Sequence, residues 1–335
     1  MFEFSVIGGK TARGIIERTR RQIVAEVHDT YLTHQAGHSV NPNSYFLRFP
    51  DKPDSRIIAL PAYLGGRHDV AGIKWISSFP SNIKSGIPRA SAALLLNDYA
   101  TGYPFACLEA SQISAARTAA SAVLAAEQLS GGRTARRMTI VGAGIIARNI
   151  LEFFSAQKWS IGELVIHDQI PEYGKKFTGY ADGELGCTAR FEADLGTALA
   201  DADVVVLATT SGEPYILDTA TFGPGQVVLN VSLRDIGPEI IAGAQNILDD
   251  VEHCMTANTS PHLAEQKYGH RDFIDGTLAE VIRGELEVNS EKPVIFSPFG
   301  LGVLDLAVGM HVYRTAQDSG EAVAIDDFFG EKTRW

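Results

Sequence analysis

Apolar residues recur at helical spacing between Gly14 and His34, where Ile15, Ile16, Ile23, Val24, Val27 and Tyr31 predict one long amphipathic helix. The pattern then changes. Tyr45–Phe49, Arg56–Leu60 and Gly72–Ile76 are short runs rich in aromatic and β-branched residues, set apart by Pro and Gly, and they read as strands. Ala92–Leu96 and Phe105–Leu108 flank Asp98-Tyr99-Ala100-Thr101-Gly102-Tyr103, which reads as a hairpin. Ser111 to Leu129 is Ala, Ser and Leu without Gly or Pro, a helix of high propensity stopped by Gly131-Gly132.

Beyond that stop the apolar runs become continuous: Met138–Val141, Glu163–His167, Val204–Ala208, Val227–Val231 and Asn246–Leu248. A helix, Ile145–Gln157, follows the first, and helical stretches separate several of the others. Strands apolar throughout and alternating with helices indicate a parallel sheet covered on both faces. Leu304 to Ser319 reads as a helix with no strand after it. The expected fold class is α/β. A Rossmann-type doubly wound parallel-sheet domain (129–302) is inserted into a mixed α+β domain (1–128 plus 303–335).

Composition narrows the function. The 335 residues are 45% hydrophobic and 21% charged, as in a soluble globular protein of about two domains. Net charge is −11, which argues against a nucleic-acid partner, since phosphate binding needs clustered Lys and Arg. Cys107, Cys187 and Cys254 are odd in number and far apart, so neither a disulfide framework nor a paired metal motif is expected. No signal peptide or membrane span is read, and the location expected is the cytoplasm.

The central motif is Gly142-Ala143-Gly144-Ile145-Ile146-Ala147, a G-x-G-x-x-A between a strand and a helix. Its first Gly permits the tight turn, the second lets a pyrophosphate approach the backbone, and the small third residue lets helix and strand pack closely. The phosphates would meet the positive helix N-terminus. Asp168 closes the next strand, where an acid accepts hydrogen bonds from both ribose hydroxyls and repels a 2′-phosphate. The expected cofactor is NAD rather than NADP. A plain tight turn beside a surface acid is the competing explanation.

Other segments carry a resemblance. Leu60-Pro61-Ala62-Tyr63, Gly72-Ile73-Lys74, Asp98-x-x-Thr101-Gly102-Tyr103-Pro104 and Ser114-Ala115-Ala116-Arg117-Thr118-Ala119-Ala120 precede the glycine turn. Asp235-x-x-Pro238-Glu239 and Phe299-Gly300-x-Gly302-x-x-Asp305 follow it. In this order they resemble the ornithine cyclodeaminase/μ-crystallin family over about positions 45–310. The stretch from Lys74 to Ala92, with Ser77-Ser78-Phe79-Pro80-Ser81-Asn82 and Gly86-Ile87-Pro88-Arg89, is similar to the NAD-dependent dehydrogenases of 2,3-diaminopropionate biosynthesis. The family's cyclodeaminases carry Gly-Lys-Thr-Glu after the acid, whereas this chain has Ile236-Gly237-Pro238-Glu239, which counts against ornithine as substrate.

The resemblance implies oxidation of N-(2-amino-2-carboxyethyl)-L-glutamate and hydrolysis to 2,3-diaminopropionate and 2-oxoglutarate, in siderophore or peptide natural-product pathways. Alternatives are redox-neutral cyclodeamination, ketimine reduction, alanine dehydrogenation, or ligand binding without turnover, as in μ-crystallin. It also implies a homodimer formed through the first domain, and a pyridoxal-phosphate-dependent synthase as pathway neighbour. By this likeness Arg48, Lys74 and Arg117 bind substrate carboxylates, Lys74 also serves catalysis, and Asp235 handles a proton. Thr118 contacts phosphate, and Thr209, Thr210 and Ser232 line the dinucleotide beside Gly142, Ala143, Gly144, Ile145 and Ile146. Arg234 is placed either to pair with Asp235 or to meet the substrate.

Bland explanations stand beside these. Arg48 suits a solvated strand edge, Arg117 a snorkelling cation, Lys74 the open face of a strand, and Asp235 a cap for Ile236–Ile241. His34 and His38 have metal-ligand spacing on a helix, but Gly37 intervenes and no third ligand is evident, so no metal is expected. Cys107 reads as a small core residue.

Overall fold

A computed structural model of the chain describes residues 3–331, 333 and 334. The chain divides into two compact units, one formed by residues up to Arg117 and from Leu301 onward, the other by Thr118–Gly300. The first comprises β1 (Ser5–Ile7), α1 (Gly9–Gln35), β2 (Ser39–Val40), β3 (Tyr45–Phe49), β4 (Lys52–Leu64), β5 (Val70–Ser78), β6 (Ala90–Asp98), β7 (Pro104–Glu109) and the start of α2 (Ser111–Ser130). The second holds β8 (Thr134–Val141), α3 (Ile145–Ala156), β9 (Ser160–His167), α4 (Pro171–Leu185), β10 (Ala189–Phe191), α5 (Leu195–Leu199), β11 (Val204–Leu207) and β12 (Val227–Asn230). It continues with α6 (Pro238–Gly243), β13 (Gln245–Leu248), α7 (Val251–Cys254), α8 (Ser260–Tyr268), β14 (Ile274–Thr277), α9 (Leu278–Ile282) and β15 (Val294–Ser297). The chain returns to the first unit with α10 (Gly302–Asp318) and β16 (Val323–Ala324).

The first unit is built on a mixed sheet in the order β16-β1-β7-β6-β5-β4-β2, with β3 also paired to β4. Side chains alternate between its faces, and directly paired residues share a face. Lys74 pairs with Leu60 on one side and Leu94 on the other, so all three face the same way. α10 lies on that face. Gly309 lets it approach, since a Cβ there would come within 2.2 Å of the Leu94 side chain. The opposite face presents Tyr45, Ala59 and Trp75 in one cross-strand row, and Leu47 and Ile57 in the next. Tyr45 and Trp75 remain 70% and 45% exposed there.

The second unit is wound on an all-parallel sheet in the order β10-β9-β8-β11-β12-β15-β13-β14. The chain order reverses between β8 and β11. Open α/β sheets bind ligands outside the carboxyl ends of the strands at such a point. The central strands are fully buried runs, Val204–Leu207 and Val227–Asn230, apolar except for Asn230.

Two expectations are corrected. A strand does follow the last helix: Val323 and Ala324 pair antiparallel with Val6 and Ser5. Two residues carry no readable period, and the pairing depends on the distant β1. Cys107 is not in the core but half-buried. It lies opposite Leu95 on the face away from α10, while its neighbours Ala106 and Leu108 are the buried pair.

Candidate active site

In the first unit the paired strands β5 and β6 turn Lys74 inward beneath α10. Its side chain is 2% exposed, and its Nζ donates a 2.6 Å hydrogen bond to Asp305 Oδ2 and a 3.2 Å one to Ser114 Oγ. Arg117 approaches the other oxygen, with Nε 3.4 Å from Asp305 Oδ1. Two cations thus share one buried carboxylate, and the set carries a net positive charge. Burial pushes the Lys74 ammonium down to about 8; Asp305 opposes that shift and the neighbouring Arg117 adds to it. A lysine in this state binds an anion while protonated and releases a proton near neutral pH.

Arg48 is not drawn into this cluster. It is exposed on β3, its guanidinium 5.3 Å from the centre of the Phe46 ring. In the sequence Asp305 is the last residue of Phe299-Gly300-x-Gly302-x-x-Asp305, a position that does not reveal its partner. Its role arises from α10, 231 residues along the chain from Lys74.

In the second unit Asp235 is fully buried. Thr209 Oγ1 lies 2.8 Å from each of its carboxylate oxygens, and Tyr215 Oη donates to Oδ2 at 3.0 Å. Burial raises the Asp235 carboxyl above the ordinary carboxylate range, against the pull of those donors. Burial, followed by the Asp235 charge, raises the Tyr215 phenol in turn. An acid held by hydroxyl donors and pushed toward protonation is suited to accept and return a proton. Asp235 is not a helix cap: α6 begins at Pro238, capped by Gly237. Leu233, two residues before it, has φ +76, a strained conformation in the turn that presents the acid.

Arg234 donates to the Ala257 carbonyl at 3.2 Å and forms no ion pair with Asp235 among the described residues. Thr209 thus has its hydroxyl engaged with Asp235. Thr210 is exposed at the same strand end, and Ser232 is half-buried, its N–H donating to Leu207 O. Tyr215 had no sequence signal at all, lying in irregular chain after β11. Nor had Asp249, which is buried and accepts the N–H groups of Phe299 and Gly300, fixing that turn.

The glycine turn lies at the switch point. Gly142 has φ +100, and a Cβ there would fall 2.5 Å from the Ala208 carbonyl at the end of β11, so only Gly fits. Gly144 is the N-cap of α3 with no side-chain cap, and space is open around it. The first N–H groups of α3 therefore face outward unsatisfied, as a phosphate requires. Asp168 accepts from Ala143 N and Ile170 N, both at 2.8 Å, holding the acid against the turn. Ala143, Ile145 and Ile146 are at least partly accessible there, and Thr118 is half-buried on α2. This turn, with its open Gly144 and uncapped helix, fits a dinucleotide. Among the described residues no group of three His, Cys, Asp or Glu side chains could hold a metal, and no helix is long and apolar enough to cross a membrane.

Fold and site together define a doubly wound, dinucleotide-type unit joined in one chain to a sheet unit that carries a buried cationic cluster. A model of the ornithine cyclodeaminase/mu-crystallin family matches residues 12–320, and the chain belongs to that family. It is 28% identical to the N-((2S)-2-amino-2-carboxyethyl)-L-glutamate dehydrogenase of Staphylococcus aureus, over 92% of each chain. It is 24% identical to a Delta(1)-pyrroline-2-carboxylate reductase of Bacillus thuringiensis, over 94% of this chain and 97% of that one. An archaeal alanine dehydrogenase dimer, solved with bound NAD, superposes with a TM-score of 0.86 at 25% identity, covering 98% of this chain and 100% of its own.

Proposed function

We propose that the protein oxidises N-(2-amino-2-carboxyethyl)-L-glutamate with NAD and hydrolyses the product to 2,3-diaminopropionate and 2-oxoglutarate. It is an NAD-dependent oxidoreductase acting on the CH–NH bond of an amino acid. The observation that carries the reading is the buried Lys74–Asp305–Arg117 set, whose net positive charge suits an anionic amino acid. The likeness to the S. aureus dehydrogenase supports the particular substrate.

When bound, NAD accepts the hydride from the carbon beside the secondary amine. The turn at Gly142 and the α3 N-terminus would hold its pyrophosphate, and Asp168 would select its unmodified ribose. Lys74 and Arg117 hold a substrate carboxylate and fix the orientation of the C–H bond. Asp235 takes the proton of the amine or of the water that attacks the imine. The balance is one conjugate, one NAD⁺ and one water giving 2,3-diaminopropionate, 2-oxoglutarate, NADH and one proton.

The exposed Tyr45–Ala59–Trp75 face pairs with its counterpart in a homodimer, since apolar patches of this kind mark protein interfaces. The enzyme works in the cytoplasm, in siderophore or peptide natural-product assembly, beside a pyridoxal-phosphate-dependent synthase that supplies the conjugate. A second reading, reduction of a cyclic imine, rests on the B. thuringiensis relative. Purified protein given the conjugate and NAD, or pyrroline-2-carboxylate and NADH, separates the two. NADH formation in the first supports the proposal; NADH consumption in the second, with none formed in the first, replaces it.

A further inference from the structure

Beyond Lys74 on the same sheet face lies a second group of cations. Arg48 pairs directly with Arg56, and Arg56 pairs with Ser78. Lys74, Ile76 and Ser78 alternate with outward residues along β5, so Arg48, Arg56 and Ser78 share the face of Lys74. Arg89 reaches this row from the segment before β6: its Nε donates to Ser78 Oγ at 3.1 Å, and its carbonyl accepts from Phe79 N. α10 does not cover the row. Its first residue, Gly302, sits against Ala62 and the Leu60 carbonyl, and Arg56 lies further back along the same strand.

Among the described residues neither Arg48 nor Arg89 has a carboxylate partner. Ser78 is buried, and the hydrogen bond that aims Arg89 is part-buried. Four residues of strand put this row about 13 Å from Lys74, a gap that two extended Arg side chains shorten to the length of a glutamyl arm.

The geometry points to a second anion site, in which Arg56 and Arg89, flanked by Arg48, bind the carboxylates of the substrate arm remote from Lys74. The site selects amino acids N-linked to a dicarboxylate over simple ones such as alanine. Guanidinium forks suit carboxylates in pairs. This deepens the proposed function and rests on it for the identity of the arm.

The test uses the full chain with R56Q, R89Q and the double variant. Two substrates are compared: the conjugate, and its analogue with the glutamyl γ-carboxylate converted to an amide. R89Q is expected to raise KM for the conjugate at least about tenfold with kcat little changed, about the loss of one charge-assisted hydrogen bond, and to leave KM for the amide near that of the unaltered protein. R89K, which keeps charge without the fork, recovers part of the loss. Equal losses on both substrates, or none, overturn the site. Calorimetric titration with 2-oxoglutarate needs no turnover. If the unaltered protein binds it and the double variant binds at least tenfold more weakly, the anion site stands even where the conjugate is not oxidised and the proposed reaction fails. Absent or unaltered binding removes the site.

Discussion

Lys74 Nζ and Asp305 Oδ2 meet at 2.6 Å with both side chains sealed from solvent, so a strand and the last long helix of one unit are joined by a buried ion pair. Removing one member of such a pair strands the other's charge, at a cost of about 3–5 kcal/mol. D305A is therefore expected to lower the urea midpoint clearly, whereas K74M, which removes the lysine charge and leaves an acid still beside Arg117, is expected to lower it less. Equal and small shifts in both variants would contradict this account of the pair.

The depressed Lys74 gives a pH limb. Its ammonium is charged below about 8 and neutral above. A substrate carboxylate needs the charged form, so kcat/KM falls as pH rises through that value. Asp305 favours the ammonium, so D305N moves the limb to lower pH. Initial rates between pH 6 and 10 at subsaturating conjugate measure both, and a profile flat across this range would tell against Lys74 as an anion ligand.

Asp235 should behave as a proton-handling group. D235N is expected to lower kcat by about 10²–10⁴-fold, with NADH binding, followed by fluorescence transfer, unchanged. Y215F removes one donor to the acid, which pushes the carboxyl further up and moves the acidic limb of kcat to higher pH. A D235N protein that keeps its turnover would leave a binding role only.

How far this was legible in the sequence depended on whether the signal was local. The Gly142 turn and Asp168 were readable, because strand, turn, helix and acid follow one another closely and each step is dictated by backbone sterics. Lys74 stood out as a lone cation in an apolar run. Its partner Asp305 could not be assigned, since only the packing of α10 on the sheet brings it near. Tyr215 and Asp249 sit in or next to irregular chain, where no period exists to read, and the hydroxyl of Thr209, expected at the dinucleotide, is engaged with Asp235. The strand Val294–Ser297 was missed because three apolar residues and a serine without flanking periodicity fit helix, strand or loop alike.

Gly142 tests the dinucleotide turn. G142A places a side chain on a residue with φ +100 and against the Ala208 carbonyl. Strain of about 1–3 kcal/mol is typical of such positions, and the expected result is at least a tenfold weaker NADH affinity by fluorescence titration, with the near-ultraviolet spectrum retained. Unchanged affinity would place the dinucleotide elsewhere.

The apolar face tests assembly. W75E puts a charge in the centre of the Tyr45–Trp75 row, and sedimentation is expected to show a dimer for the unaltered protein and a monomer for the variant. A monomer in both cases would leave that face without its proposed partner.

The most direct measurement uses the conjugate deuterated at the glutamyl α-carbon, incubated with NAD and the full chain. Mass spectrometry of the nucleotide is expected to find the deuterium in the reduced nicotinamide, with one 2-oxoglutarate formed per reduced nucleotide. Reduced nucleotide without the label, or none formed at all, would contradict hydride removal from that carbon.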